Sequence, residues 1–176
     1  SRIQTIDDRL PTLDDAPALR HLYHHYDYVV EEAGFLVWLR RDFDETLDQR
    51  ELILEQTLDF GESITPPTDG EHPIWCEMEI SPSLLGRLRQ FLYKPPVLEI
   101  TTDDGGTDQR MFRIAPAMAR AGFFTYPYFT NNKNIINYQA GGPAPRLMSF
   151  ALVVDPNDTH FYQREITVRF YRLPPM

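Results

Sequence analysis

His21, His24 and His25 are the first residues in the chain whose types and spacing suggest chemistry. Side chains four apart on a helix share a face, so a helical His21 and His25 point the same way. Two neutral imidazoles so placed can ligate Zn²⁺ or Ni²⁺. Asp27 and Glu31 are close in sequence, but no HExxH pattern and no evident third ligand accompany them. The simpler expectation is a solvated helix face, with no metal and no cofactor. Asp103, Asp104 and Asp108 offer the hard oxygens that Ca²⁺ prefers. Their spacing departs from the D-x-D-x-D-G loop with its distal glutamate, and Gly105-Gly106 between them suits a hairpin turn.

Glu77 and Glu79 fall on one face of an extended segment, roughly 6–7 Å apart by strand rise. A glycosidase needs two carboxyl groups flanking its sugar, and a solvent-facing strand carries the same pattern. No G-x-S-x-G elbow occurs, and Gly105-Gly106 and Gly141-Gly142 match neither a P-loop nor a dinucleotide fingerprint. Cys76 is the single cysteine, which excludes an intramolecular disulfide and a Cys-rich zinc site. It alternates with Met78 and Ile80, so it is expected as a small buried apolar residue rather than a nucleophile.

Aromatic residues supply the remaining candidates. Phe123, Phe124, Tyr126, Tyr128 and Phe129 crowd around Pro127, and Trp38, Trp75, Phe161 and Tyr162 stand near predicted strand ends. An exposed flat ring presents an apolar face to a sugar, and Asn131, Asn132 and Asn134 follow with hydrogen-bonding amides. Strand alternation sends about half of these rings into a core. Of the rest, Arg113, Tyr126, Tyr128, Asn131 and Asn132 form the candidate ligand-binding set, supplying stacking and hydrogen bonds.

The elements that must position them follow from periodicity. Residues Ser1 to Pro17 are polar and acidic and read as an extended lead-in or linker, leaving 18–176 as a single domain. Ala18, Leu22, Tyr26, Val29 and Ala33 recur at helical spacing, with Asp14 or Asp15 as the cap and Gly34 as the stop. Tyr26 to Val30 within this stretch is equally acceptable as strand. Phe35 to Leu39, Arg50 to Phe60 and Ile74 to Ile80 read as strands, with a Pro-Pro and Asp-Gly loop over Gly61 to Pro73. Ser81-Pro82-Ser83 opens a helix carrying Leu84, Leu85, Leu88, Phe91 and Leu92, which Pro95-Pro96 stops. Val97 to Thr102, Arg110 to Ile114 and Ala121 to Tyr126 are further strands, and a polar loop through Asn131 to Asn134 follows. Met148 to Val154 and Ile166 to Phe170 alternate most clearly, joined by the turn residues Asp155-Pro156-Asn157-Asp158, and read as two long antiparallel strands. The fold class expected is mainly β, a β-sandwich or jelly roll of antiparallel sheets with one or two short helices.

Composition sets the outer bounds. A chain of 176 residues with 42% apolar and 24% charged residues fits one domain with a real core. The net charge of −9 argues against nucleic acid and against docking on an anionic lipid surface. No apolar run approaches the ~20 residues that span a bilayer, and no signal peptide is visible. The chain starts at Ser1 rather than methionine, as a processed product or an excised piece does.

The run from Gln109 through Arg113, Pro116, Gly122-Phe123-Phe124 and Tyr126-Pro127 has an arginine strand, a proline, a glycine-aromatic pair and a second proline. Together with Gly86-Arg87-Leu88 and Phe91-Leu92-Tyr93-Lys94-Pro95-Pro96, it resembles uncharacterised soluble domains of bacterial multi-spanning envelope membrane proteins. The resemblance covers the central third of the chain and brings no catalytic residue. It implies a domain facing the periplasm or cell exterior, with a parent protein anchored in the membrane. The expectation is a non-catalytic envelope domain that binds a glycan or a protein partner. A carbohydrate-active hydrolase using Glu77 and Glu79, and a purely structural assembly domain, stand as alternatives.

Overall fold

A computed structural model of the chain describes residues 8–10, 13, 15–42, 49–106 and 109–175. Asp14, Asp108 and most of the lead-in lie outside the described residues. In chain order the elements are α1 (Ala16–His25), β1 (Tyr26–Glu32), β2 (Phe35–Arg40), β3 (Glu51–Asp59), β4 (Ser63–Ile64), β5 (Ile74–Glu79) and α2 (Leu84–Leu92). They continue with β6 (Leu98–Asp103), β7 (Arg110–Ile114), α3 (Pro116–Ala121), β8 (Phe123–Tyr126), α4 (Asn132–Gln139), β9 (Ser149–Val154), a 3₁₀ turn at Thr159–Phe161, and β10 (Glu165–Arg172).

Alternation builds the core. Ile166, Val168 and Phe170 of β10 are buried, as are Phe150, Leu152 and Val154 of β9, and Leu98, Ile100 and Thr102 of β6. Each fully buried large apolar side chain stabilises by roughly 1.5–3 kcal/mol, so these faces must be covered. They cover each other. One antiparallel sheet has the order β3-β10-β5-β8 and the other β4-β9-β6-β7. The Phe150 ring reaches across to Phe123 and Phe170 of the opposite sheet, with centroids 6.1 and 6.3 Å apart. The molecule is mainly β, with two sheets facing in a sandwich-like arrangement. Cys76 is fully buried at this interface, and desolvation pushes its thiol pKa well up.

Four expectations need correction. Among the described residues there are four α-helices rather than one or two, because α3 fills the connection between two expected strands and α4 a stretch read as polar loop. The long N-terminal helix ends at His25, and Tyr26–Glu32 turns into a hairpin with Phe35–Arg40. The β-branched and aromatic residues of Tyr26-Asp27-Tyr28-Val29-Val30 favour strand. Ala33 and Gly34 both adopt positive φ, 51° and 81°, as a two-residue type I′ connection requires. The two C-terminal strands do not pair with each other, since β9 and β10 belong to opposite sheets. The chain between them passes through the 3₁₀ turn and crosses from one sheet to the other. Lastly, the lead-in is packed at its later end, with Leu10, Leu13 and Ala16 in the core and Arg9 bridging Arg113.

The β1–β2 hairpin forms its own two-stranded sheet and places Leu36 in the core. Tyr28 and Trp38 pack partly against that core, with their rings 5.9 Å apart. The hairpin and α4 are linked where the Asn132 side chain donates to the Gly34 carbonyl oxygen at 3.0 Å. No helix among the described residues is long and apolar enough to cross a membrane.

Candidate functional site

The residues singled out for ligand binding do not converge. Arg113 is exposed on β7, its backbone N–H donating to the Asp8 carbonyl at 2.7 Å. Tyr126 is half-buried on β8, and its hydroxyl donates to the Gly70 carbonyl at 2.7 Å. Tyr128 is only 2% exposed and offers no face to a ligand; burial pushes its phenol up to about 12. Asn131 caps α4, its side chain accepting from the Asn134 N–H at 3.1 Å, and Asn132 holds the hairpin turn. The side chains of Tyr126, Asn131 and Asn132 make hydrogen bonds within the fold, and Tyr128 is packed inside it.

The other constellations resolve similarly. The rings of His21 and His25 lie 4.3 Å apart on α1, and no cluster of three or more His, Cys, Asp or Glu side chains among the described residues could hold a metal ion. Asp103 and Asp104 each accept from a glycine N–H two residues on, at 2.8 and 3.1 Å, which is turn chemistry. Glu77 and Glu79 point outward from the β3-β10-β5-β8 sheet into a ladder of ion pairs. Glu77 pairs with Arg50, Glu79 with Arg169 at 3.4 Å, and Arg169 reaches Glu55 at 2.6 Å. Two carboxylates neutralised by guanidinium groups on an open sheet face are poorly placed to flank a scissile bond.

A different region is concave. α1, the β1–β2 hairpin and α4 enclose a cavity of about 570 Å³, within the ~300–1,000 Å³ usual for small-molecule sites. Each wall has a local cause. α1 supplies Tyr23, whose ring meets Trp38, Phe124 and Phe129, each with centroids 5.7 Å apart. The hairpin supplies Tyr26 and Asp27 from one strand and Trp38 from the other. α4 supplies Tyr138 and Gln139, with Tyr138 braced against Phe129 at 5.6 Å. The backbone of Gly141 and Gly142 closes the far side.

One charged pair stands in this aromatic frame. The Arg41 Nε donates to Asp27 Oδ1 at 2.7 Å, and a second guanidinium nitrogen donates to the His24 carbonyl at 3.2 Å. The fork of Arg41 thereby fixes where the Asp27 carboxylate sits. Tyr23 is buried, and its hydroxyl has no hydrogen-bond partner among the described residues. Burial raises its pKa, so the phenol stays protonated and remains a donor. Such a site can hold a flat or ring-shaped polar molecule between aromatic faces, with a carboxylate, a guanidinium and an amide at its edge. It contains no Ser or Cys nucleophile.

Sequence reasoning noticed Trp38 but not this site. The available signal was the strand-like Tyr26 to Val30 followed by Ala33-Gly34, which foretells a hairpin and so brings Tyr26, Asp27 and Trp38 together. No family model, curated protein or solved structure matches the chain.

Proposed function

We propose that this domain is a non-catalytic binding module that takes a saccharide in the cavity between α1, the β1–β2 hairpin and α4. The observation that carries the reading is the lining of Tyr26, Trp38, Phe129 and Tyr138 around the Asp27–Arg41 pair. A sugar ring has C–H faces that pack on aromatic rings and hydroxyl edges that need fixed donors and acceptors. Asp27 accepts, Arg41 donates and Gln139 does both. The resemblance to envelope-protein domains supports a setting at the periplasmic or outer face of a bacterial membrane, where glycans are abundant.

The test is titration of a saccharide panel, followed by Trp38 fluorescence and calorimetry. An open site of this kind should bind with millimolar to micromolar dissociation constants, about −4 to −8 kcal/mol. Trp38→Ala and Asp27→Asn should each weaken binding roughly tenfold or more, whereas Arg113→Ala, remote on β7, should leave it intact. Absence of any saccharide response at millimolar concentration overturns the reading.

A further inference from the structure

Helix α2 is docked by the wrong face for an ordinary amphipathic helix. Its buried residue is Gly86, where a Cβ would run into the Phe161 carbonyl oxygen. Ser83 caps the helix, accepting from the Gly86 N–H at 3.1 Å and donating to the His160 carbonyl at 2.7 Å. Arg89 lies over the Phe161 ring at 4.3 Å and pairs with Asp158 at 3.2 Å. Glycine, serine and arginine therefore hold α2 to the 3₁₀ turn.

The apolar stripe faces outward. Leu84, Leu88 and Phe91 are 84%, 61% and 87% exposed, and Leu85 and Leu92 are exposed beside them. At about 100° per residue, these five side chains occupy an arc of about 120° centred opposite Gly86, with Arg87 on one flank and Arg89 on the other. Tyr93 and Lys94, both exposed, continue the stripe and the charge beyond the last turn. Leaving so much contiguous hydrocarbon in water is costly unless something covers it.

Charge identifies the cover. The chain carries a net charge of −9, yet from Ile80 to Leu98 it has no Asp or Glu, and with Arg89 paired to Asp158 the exposed cations beside the stripe are Arg87 and Lys94. A local basic patch on an acidic chain complements an anionic surface. The arc contains no hydrogen-bonding group, so it offers a protein partner no polar register; a fluid hydrocarbon boundary needs none. A second copy fits poorly, because a helix of nine residues is only ~14 Å long and its one face falls far short of the ~800 Å² per partner of a stable interface. We infer that α2 is an interfacial helix that seats the domain on an anionic lipid surface, with its leucines and Phe91 at the acyl boundary and Arg87 and Lys94 among the headgroups. The net charge alone had argued the other way; beside the stripe itself the exposed charges of this segment are those of Arg87 and Lys94.

The experiment is flotation of the chain with mixed phosphatidylglycerol–phosphatidylcholine vesicles and with phosphatidylcholine alone. The unaltered chain should bind the mixed vesicles roughly tenfold more strongly. The double change Leu88→Asp and Phe91→Asp should abolish flotation, and Arg87→Glu with Lys94→Glu should reduce it to the phosphatidylcholine level. Phe91→Trp, a mild change on the folded chain, should show blue-shifted emission with the mixed vesicles. No flotation of the unaltered chain overturns the proposal. So does flotation that survives Leu88→Asp and Phe91→Asp, which would place the contact elsewhere. Self-association that these aspartates abolish, without flotation, would instead assign the stripe to a second copy and equally overturn it.

Discussion

Helices α2 and α4 are built alike and used in opposite ways. Each is a short helix whose capping side chain accepts from the backbone N–H three residues on, Ser83 from Gly86 and Asn131 from Asn134. α4 turns Ile135 into the core, packs Ile136 and Tyr138 partly against it, and shows Lys133 and Asn137 to water. α2 turns a glycine inward and presents its leucines. The difference teaches that an apolar stripe states only that one face avoids water. Which neighbour removes it is decided by the rest of the fold, and on α2 that neighbour is not among the described residues. The same contrast separates the two candidate sites: α4 closes a cavity from behind, while α2 is itself a surface.

The sharpest way to break the comparison is Ile135→Ala. It should lower unfolding stability by about 2–5 kcal/mol, as deletions at fully buried aliphatic positions do; a urea midpoint near that of the unaltered chain would show that α4 is not part of the core. Gly86→Ala comes next. The added methyl meets backbone rather than a pliable side chain, and a loss of about 1–3 kcal/mol is expected, read from the thermal midpoint. If it costs nothing, α2 is not seated through Gly86 and its outward stripe is not fixed by the fold. Ser83→Ala and Asn131→Ala should each cost about 1 kcal/mol, because both leave a helix N–H uncapped. Asn131→Ala should do so without changing saccharide titration, which separates its capping role from ligand binding. The smallest effect is expected for Leu88→Ala, within about 0.5 kcal/mol for an exposed position. A larger loss, measured on dilute protein, would mean that the stripe is already buried in solution.

Much of the sandwich was readable because its strands bury one face, so period two is written into Met148–Val154 and Ile166–Phe170. Their pairing was not readable. A turn-rich connection looks like a hairpin whether the next strand joins the same sheet or crosses to the other, and only long-range packing distinguishes the two. α4 was hidden by its own residues. Asparagine is a weak helix former, and Asn131 to Asn134 reads as loop unless Asn131 is recognised as the cap. The ring-rich stretch misled for another reason. β8 is covered on both faces, by the opposite sheet at Phe123 and by Tyr23 of α1 at Phe124, so alternation exposes no platform there. Tyr128 goes inward with it. The cavity draws on α1, the hairpin and α4, more than a hundred residues apart at the extremes, and no local spacing encodes that meeting.

The place of β10 in the middle of its sheet has a consequence for how the molecule is born. Its partners β3 and β5 leave the ribosome long before it does, and until Glu165 to Arg172 emerge they flank an empty slot. Two open edges of that kind are templates for a strand from any nascent neighbour. Emergence of β10 is thus the moment at which a sticky intermediate becomes a continuous sheet.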